Sequence, residues 1–247
     1  MSAHDISEQE FLRNYRIHDF AVPLTSVDLV IFTVQAQCLQ VLLVERGEHP
    51  FKGRWALPGG FVDLQRDIDL DATATRKLRE KTGVDLSYLE QLQGFGSATR
   101  DPRGWSATFA YFALIDAQGV NLSHGGGSNA AAWVPVDELA RRIDLAFDHA
   151  AIVEVALQRL RGKVEYTSLP VHLLAPEFTL SDLQRVYETI LGRPVDKSAF
   201  RKRIREGDFL QEISGKQRHG SNRPAQLYRL RDDYEVVYFN RTMSPLR

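Results

Sequence analysis

The sequence predicts an α/β (α+β) protein of two parts, and three observations carry that expectation. From residue 25 to about residue 160, runs of β-branched and aromatic residues alternate with helix-patterned segments. Beyond residue 161, two short amphipathic helices precede a pair of strands. The charge changes sign at the same point. Residues 1–160 carry 15 Lys and Arg against 21 Asp and Glu, and residues 161–247 carry 16 against 11. The expected organisation is an N-terminal segment 1–24, a mixed domain 25–160 and a basic domain 161–247.

The elements follow in order. Ser7 to Tyr15 is expected to form a short helix with Phe11 and Leu12 inward. Val27 to Val34 and Cys38 to Val44 are β-rich runs that should pair. Pro50 to Phe61, rich in Gly, Pro and aromatics, is expected as a loop. Leu70 to Thr82 is helical: Leu70, Ala74 and Leu78 share a stripe, Asp69 can cap it and Gly83 ends it. Leu89 to Phe95 and Ala107 to Ile115 are strand-like, and Ser123 to Ala132 is a Gly/Ser/Ala loop. Trp133 to Val136 is extended, Asp137 caps a short helix, and Phe147 to Arg161 forms a longer one. Val164 to Pro176 is irregular. Thr179 opens a helix through Leu191 that Gly192 and Pro194 stop. Asp196 caps the next helix, with Phe200 and Ile204 inward and Gly207 at its end. Leu210 to Ile213 and Ala225 to Leu230 are strands around a basic turn.

Composition narrows the class. In 247 residues, 43% are hydrophobic and 26% charged, which fits a globular chain with a real core and excludes a disordered one. No run approaches the roughly 18 apolar residues of a membrane span. Met1 to Tyr15 is polar and lacks the apolar stretch of a secretory signal. Cys38 is the lone cysteine, so there is no internal disulfide and little basis for a Cys-based zinc site. A cytoplasmic protein with no membrane partner is expected.

The C-terminal pattern is that of a winged helix-turn-helix: two helices, a turn with Gly and Pro, then a β-hairpin. The second helix of such a unit enters the DNA major groove, about 12 Å wide. The residues placed to contact DNA are Lys197, Ser198, Arg201, Lys202 and Arg205 on that helix. Lys216, Arg218, His219 and Arg223 accompany them on the hairpin turn. The alternative is a small domain with a solvated basic face.

Within the first part, Arg54-Trp55-Ala56-Leu57-Pro58-Gly59-Gly60-Phe61-Val62 precedes Arg76-Lys77-Leu78-Arg79-Glu80-Lys81-Thr82-Gly83-Val84. Together these resemble the Nudix domain over roughly residues 25–160. The resemblance implies a mixed-sheet sandwich with the motif as a loop-helix-loop. It also implies a nucleoside-diphosphate pocket at Arg54, Gly59, Gly60, Arg76, Lys77, Glu80 and Lys81, with Arg54 the favoured phosphate contact. Trp55 is assigned to the core; Trp105 and Phe109 are candidate base platforms.

The departures from the Nudix motif matter as much as the matches. Gly60 to Arg76 is two residues longer than in the family, and no Glu stands where its first carboxylate belongs, although Asp67 and Asp69 are close. The family's metal-binding carboxylates correspond to positions 77, 80 and 81, here Lys77, Glu80 and Lys81. At about 4 Å and an effective dielectric of about 20, each unit charge pair is worth roughly 4 kcal/mol, so two inversions should abolish the ordinary metal site. No metal site and no catalytic residue is therefore assigned.

A Nudix-like domain joined to a winged helix resembles the Nudix-related transcriptional regulators of NAD metabolism. Phe178 to Lys197 and Asn222 to Arg229 carry that likeness in the second part, and it covers residues from about 20 to 232. It implies a homodimeric repressor on palindromic double-stranded operators of NAD synthesis or salvage genes. It implies release by ADP-ribose or a related NAD-derived effector, with no cofactor required. Two alternatives stay open: an active hydrolase of nucleoside diphosphate derivatives such as ADP-ribose, and an RNA-binding protein of Nudix type.

Overall fold

The computed structural model describes residues 7–84, 88–118, 120, 122, 128–142, 144–218 and 224–240. Helix α1 (Glu8–Asn14) comes first, followed by β1 (Leu24–Gln35), β2 (Cys38–Arg46), β3 (Trp55–Ala56) and β4 (Gly59–Phe61). Then come α2 (Leu70–Thr82), β5 (Tyr88–Ser97), β6 (Ser106–Leu114), β7 (Ser128–Pro135), α3 (Val136–Arg142) and α4 (His149–Val164). The remainder is α5 (Leu180–Leu191), α6 (Lys197–Gly207), β8 (Leu210–Arg218) and β9 (Ala225–Leu230).

Strand β1 organises a mixed sheet. It runs parallel to β6 from Leu24 to Phe32 and pairs antiparallel with β4 and then with β2 on its other side. Strand β5 extends the sheet beyond β6, and β3 and β7 both pair with β2. Because β1 is buried on both faces, its sequence is a nearly continuous apolar run. Its alternate residues face opposite ways. Val27, Leu29 and Ile31 pack with Ala74 and Leu78 of α2, while Val30 and Phe32 join Ile152, Ala156 and Leu160 of α4. The sheet therefore lies between α2 and α4.

Local chemistry sets the helix ends. Asp69 accepts from the Ala72 amide at 2.7 Å, and Gly83 closes α2 in the left-handed conformation with φ of 68°. Thr179 and Asp182 form a reciprocal capping box on α5. Asp196 caps α6 by accepting from the Ala199 amide at 2.7 Å.

The core of the second part is continuous with the first. Val164, Leu169, Val171, Leu173, Phe178, Leu183 and Phe200 belong to the same buried cluster as Val30 and Phe32. The dividing line expected at residues 160–161 falls inside α4. Polar contacts tie the same elements. Tyr187 donates to the Thr167 carbonyl at 2.6 Å, Arg193 pairs with Glu165 at 2.7 Å, and Arg203 donates to the Glu165 carbonyl at 3.1 Å. After β9 the chain returns across this junction. Tyr234 meets Ser168 at 2.9 Å, the Phe239 amide donates to the Tyr166 carbonyl at 2.7 Å, and Arg203 lies 4.5 Å over the Phe239 ring.

Several expectations are corrected. Helix α1 forms, but Phe11 and Leu12 are exposed, Phe11 packs on Tyr15, and none of the helix residues is buried among the described residues. Of the expected loop Ser123 to Ala132, residues 128–132 instead begin β7, since pairing with β2 outweighs the weak strand preference of the alanines, and residues 123–127 lie outside the described residues. The loop Pro50 to Phe61 contributes β3 and β4. Val164 to Pro176 includes the end of α4 and a 3₁₀ turn, Leu169–Leu173, with Pro170 in its first turn. Helix α6 ends at Gly207 as expected, and Asp208, in the left-handed region, closes it. A Cβ on Gly207 would meet both Phe209 and Phe239 at 3.0 Å, so this glycine serves close packing. Strand β8 continues to Arg218, so Lys216 and Arg218 lie on the strand and not on the turn.

Candidate ligand pocket and nucleic-acid interface

A cavity of about 270 Å³ opens where β1, β4, α2 and the start of α4 converge. Gly59, Gly60 and Lys81 line it with Asp28, Arg46, Arg100, Asp101, Arg103, Phe147 and His149. Asp28 is a carboxylate in the middle of the buried strand β1, 7% exposed. Such a charge needs partners. Arg100 stands 3.5 Å away and also grips Asp148 with bonds of 3.0 and 2.9 Å. His149 Nε2 is 3.6 Å from Asp28. The Leu57 amide donates to His149 Nδ1 at 2.8 Å, so in the neutral ring the proton sits on Nε2, facing Asp28. Burial opposes ionisation of Asp28, but His149, Thr108 and Arg100 overcome it and hold the carboxyl below its ordinary range.

The remaining cations have distinct settings. Arg103 binds Asp101 with contacts of 3.0 and 2.7 Å and lies 5.1 Å over the Phe61 ring. Arg46 stands 4.8 Å over Phe147, which packs edge-on against Phe51. Lys81 is 6% exposed and donates to Ser128 Oγ at 2.9 Å, which carries it from α2 across to β7. Burial, joined by repulsion from Lys77, lowers its pKa below that of an ordinary lysine.

The other expected pocket residues, Arg54, Arg76, Lys77 and Glu80, do not line this cavity. Arg76 is clamped by Asp67, with Nε 2.7 Å from Oδ1, and reaches Glu80 at 3.1 Å. That pairing holds the Asp67 carboxyl well below the usual range and anchors the lengthened loop to α2. Lys77 meets Glu80 at 3.2 Å and lies over the Gly60 backbone. Arg54 pairs with Asp144 at 2.8 Å on the exposed surface, away from the cavity lining. Of the acidic run, Asp69 caps α2 and Asp71 accepts from Tyr111 at 2.6 Å. Trp55 packs on the core, Trp105 is 53% exposed, and Phe109 is partly buried under α2.

The second site is a groove of about 920 Å³ between the start of α5, α6 and β9. Lys197, Arg201 and Arg205 line it with Ser181, Gln226 and Tyr228. Ser198 and Lys202 are also exposed, on the same helix, while Phe200 and Ile204 point into the core. Lys216 pairs with Glu177 and Arg218 with Asp182, both at 2.7 Å. His219 and Arg223 lie outside the described residues.

Residues 22–155 match the NUDIX domain family, and residues 170–230 match the NrtR DNA-binding winged helix domain. The "ADPR responsive transcriptional repressor NtrR" of Acinetobacter baylyi is 47% identical over 235 residues, 94% of this chain and 92% of that one. The chain belongs to the NrtR family. Shewanella oneidensis NrtR complexed with a 27mer DNA has a TM-score of 0.81 and 40% identity, covering 89% of this chain and 99% of that chain. The NUDIX domain of the same NrtR complexed with ADP ribose has a TM-score of 0.59 and 44% identity over 62% of this chain and 99% of that domain.

In this NrtR family member, sequence reasoning missed Asp28, Arg46, Arg100, Asp101, Arg103, Phe147 and His149 as pocket residues. A signal existed for one of them: Asp28 interrupts an apolar strand. Arg100 and His149 are brought in by contacts 72 and 92 residues apart, which no local pattern reveals.

Proposed function

We propose that the chain is an ADP-ribose-responsive transcriptional repressor of NAD synthesis or salvage genes, acting as a homodimer on palindromic operators. The observation that carries this is the exposed row Lys197, Ser198, Arg201, Lys202 and Arg205 on α6, in a chain similar over most of its length to an NrtR complexed with DNA. Helix α6 enters the major groove, where its first residues meet base edges. Lys216 and Arg218 exchange their acidic partners for phosphate oxygens. Dimer symmetry sets two α6 helices about 34–36 Å apart to match successive major grooves.

ADP-ribose occupies the pocket of Asp28, Lys81 and Arg100, with Gly59 and Gly60 letting the backbone come close to its diphosphate. A ligand that favours another spacing of the two α6 helices lowers operator affinity by its differential binding, typically about 1–3 kcal/mol. The pocket is catalytically impaired, because cations stand at two of the three carboxylate positions on α2 and His149 is committed to Asp28 and Leu57.

The test is fluorescence anisotropy of a labelled palindromic duplex from upstream of the host's NAD genes, titrated at fixed salt with and without ADP-ribose. Tight binding that ADP-ribose releases is expected. Binding no tighter than to a scrambled duplex would overturn the operator assignment. Mg²⁺-dependent turnover of ADP-ribose at ordinary enzymatic rates would restore the hydrolase reading.

A further inference from the structure

Helix α2 carries the positions at which the Nudix fold holds its divalent cation, and the side chains there do not suit one. Of Lys77, Glu80 and Lys81, only Glu80 is anionic. Both of its oxygens are already engaged, one by Arg76 at 3.1 Å and the other by Lys77 at 3.2 Å. Lys81, one residue further on, is buried and lines the cavity beside Gly59 and Gly60. A divalent cation approaching this face meets two ammonium groups and a carboxylate already matched by two cations. A polyanion meets the opposite situation. Arg46, Arg100 and Arg103 line the same cavity, and a phosphate oxygen is a stronger acceptor for Lys81 than the neutral hydroxyl of Ser128.

We propose that the Lys81 ammonium replaces the divalent cation in this pocket, so that the diphosphate of a nucleotide ligand is held by the chain itself and binding needs no metal. The proposal rests on the effector reading above. It assigns Lys81 a positive charge set on a regular helix, with its stem buried and its head tethered to β7. A lysine of this kind favours the charged ligand without the octahedral shell that Mg²⁺ demands and without activating a water. Lys81 then accounts for retention of the ligand, and Lys77 and Lys81 together for the loss of hydrolysis.

The experiment is calorimetric titration of ADP-ribose into the full chain, once in EDTA and once with millimolar Mg²⁺. The expected affinities agree within about twofold. Lys81→Met should weaken binding by about tenfold or more in EDTA, and Lys81→Arg should recover much of the loss. Lys81→Glu should bind measurably only with Mg²⁺. Circular dichroism melts establish that each variant is folded, and the EDTA and Mg²⁺ pair on the unmutated chain decides the question even if a variant is not. Binding that requires Mg²⁺ in the unmutated chain overturns the proposal and leaves the effector reading standing. A folded Lys81→Met that binds as tightly as the unmutated chain in EDTA also overturns it. A chain that binds operator duplex but no ADP-ribose in either solution overturns the effector reading and this proposal with it.

Discussion

At Gly59, β4 passes close against β1. A Cβ there would lie 2.4 Å from the Val27 carbonyl oxygen and 2.4 Å from Asp28 Oδ1. The backbone cannot move aside without opening the pairing of Asp28 with Gly59. Gly59→Ala should therefore cost about 1–3 kcal/mol, read as a lower thermal midpoint, and should weaken nucleotide binding by displacing Asp28. An unchanged melt would contradict the close approach. His172 offers a second test. It sits between the rings of Tyr88 and Tyr234, at 5.4 Å from each, and burial pushes its pKa down to about 4 from 6.5. The unfolded chain thus binds this proton more tightly than the folded one. Stability from this residue is complete above pH 6.5 and is lost as pH falls towards 4. The loss is roughly 3 kcal/mol across that window. His172→Leu should flatten the profile there in denaturant titrations, and an equally steep profile would assign the slope elsewhere. Neither residue's setting was legible in the sequence. Gly59 was recognised for its motif and not for its contact, and His172 was one scattered histidine among seven.

Elements were more legible than the sites they build. Helices α2, α5 and α6 begin at the expected caps, because Asp69, Thr179 and Asp196 act on amides within three residues. The face of α6 was legible for the same reason, since helical spacing separates Phe200 and Ile204 from the basic row. Strand β7 was legible only from Trp133 onward, because its alanines carry no pattern until β2 lies beside them. At this scale Arg201→Ala should weaken operator binding by about 1–3 kcal/mol and relax sequence preference. Lys216→Ala should weaken all duplexes alike and reduce the salt slope by about one unit. Its ion pair with Glu177 is exposed, so the free protein loses little. Anisotropy over a salt series separates the two behaviours. If neither change alters affinity for any duplex, α6 and the hairpin are not the DNA-reading surface.

At the scale of the whole molecule, the two parts were legible as a change of pattern and charge, but their union was not. Helix α4 begins at the pocket, with Asp148 and His149, and ends at Glu165, which holds Arg193 and receives Arg203 from α6. A helix of this kind lets an event at Asp28 bear on α6 through bonded and packed groups. No composition shift announces it, because the apolar residues of α4 serve both neighbours at once.

The shared core has a thermodynamic consequence. A chain in which the sheet face under α4 and the winged-helix part share one buried cluster has no seam between its two parts along which half of it can melt. Scanning calorimetry should record a single endotherm whose van't Hoff and calorimetric enthalpies agree. Two resolved endotherms would show that the cluster divides on heating. Under the single transition, ADP-ribose delays the melting of the DNA-reading helices as much as that of the pocket, because heat does not distinguish between them.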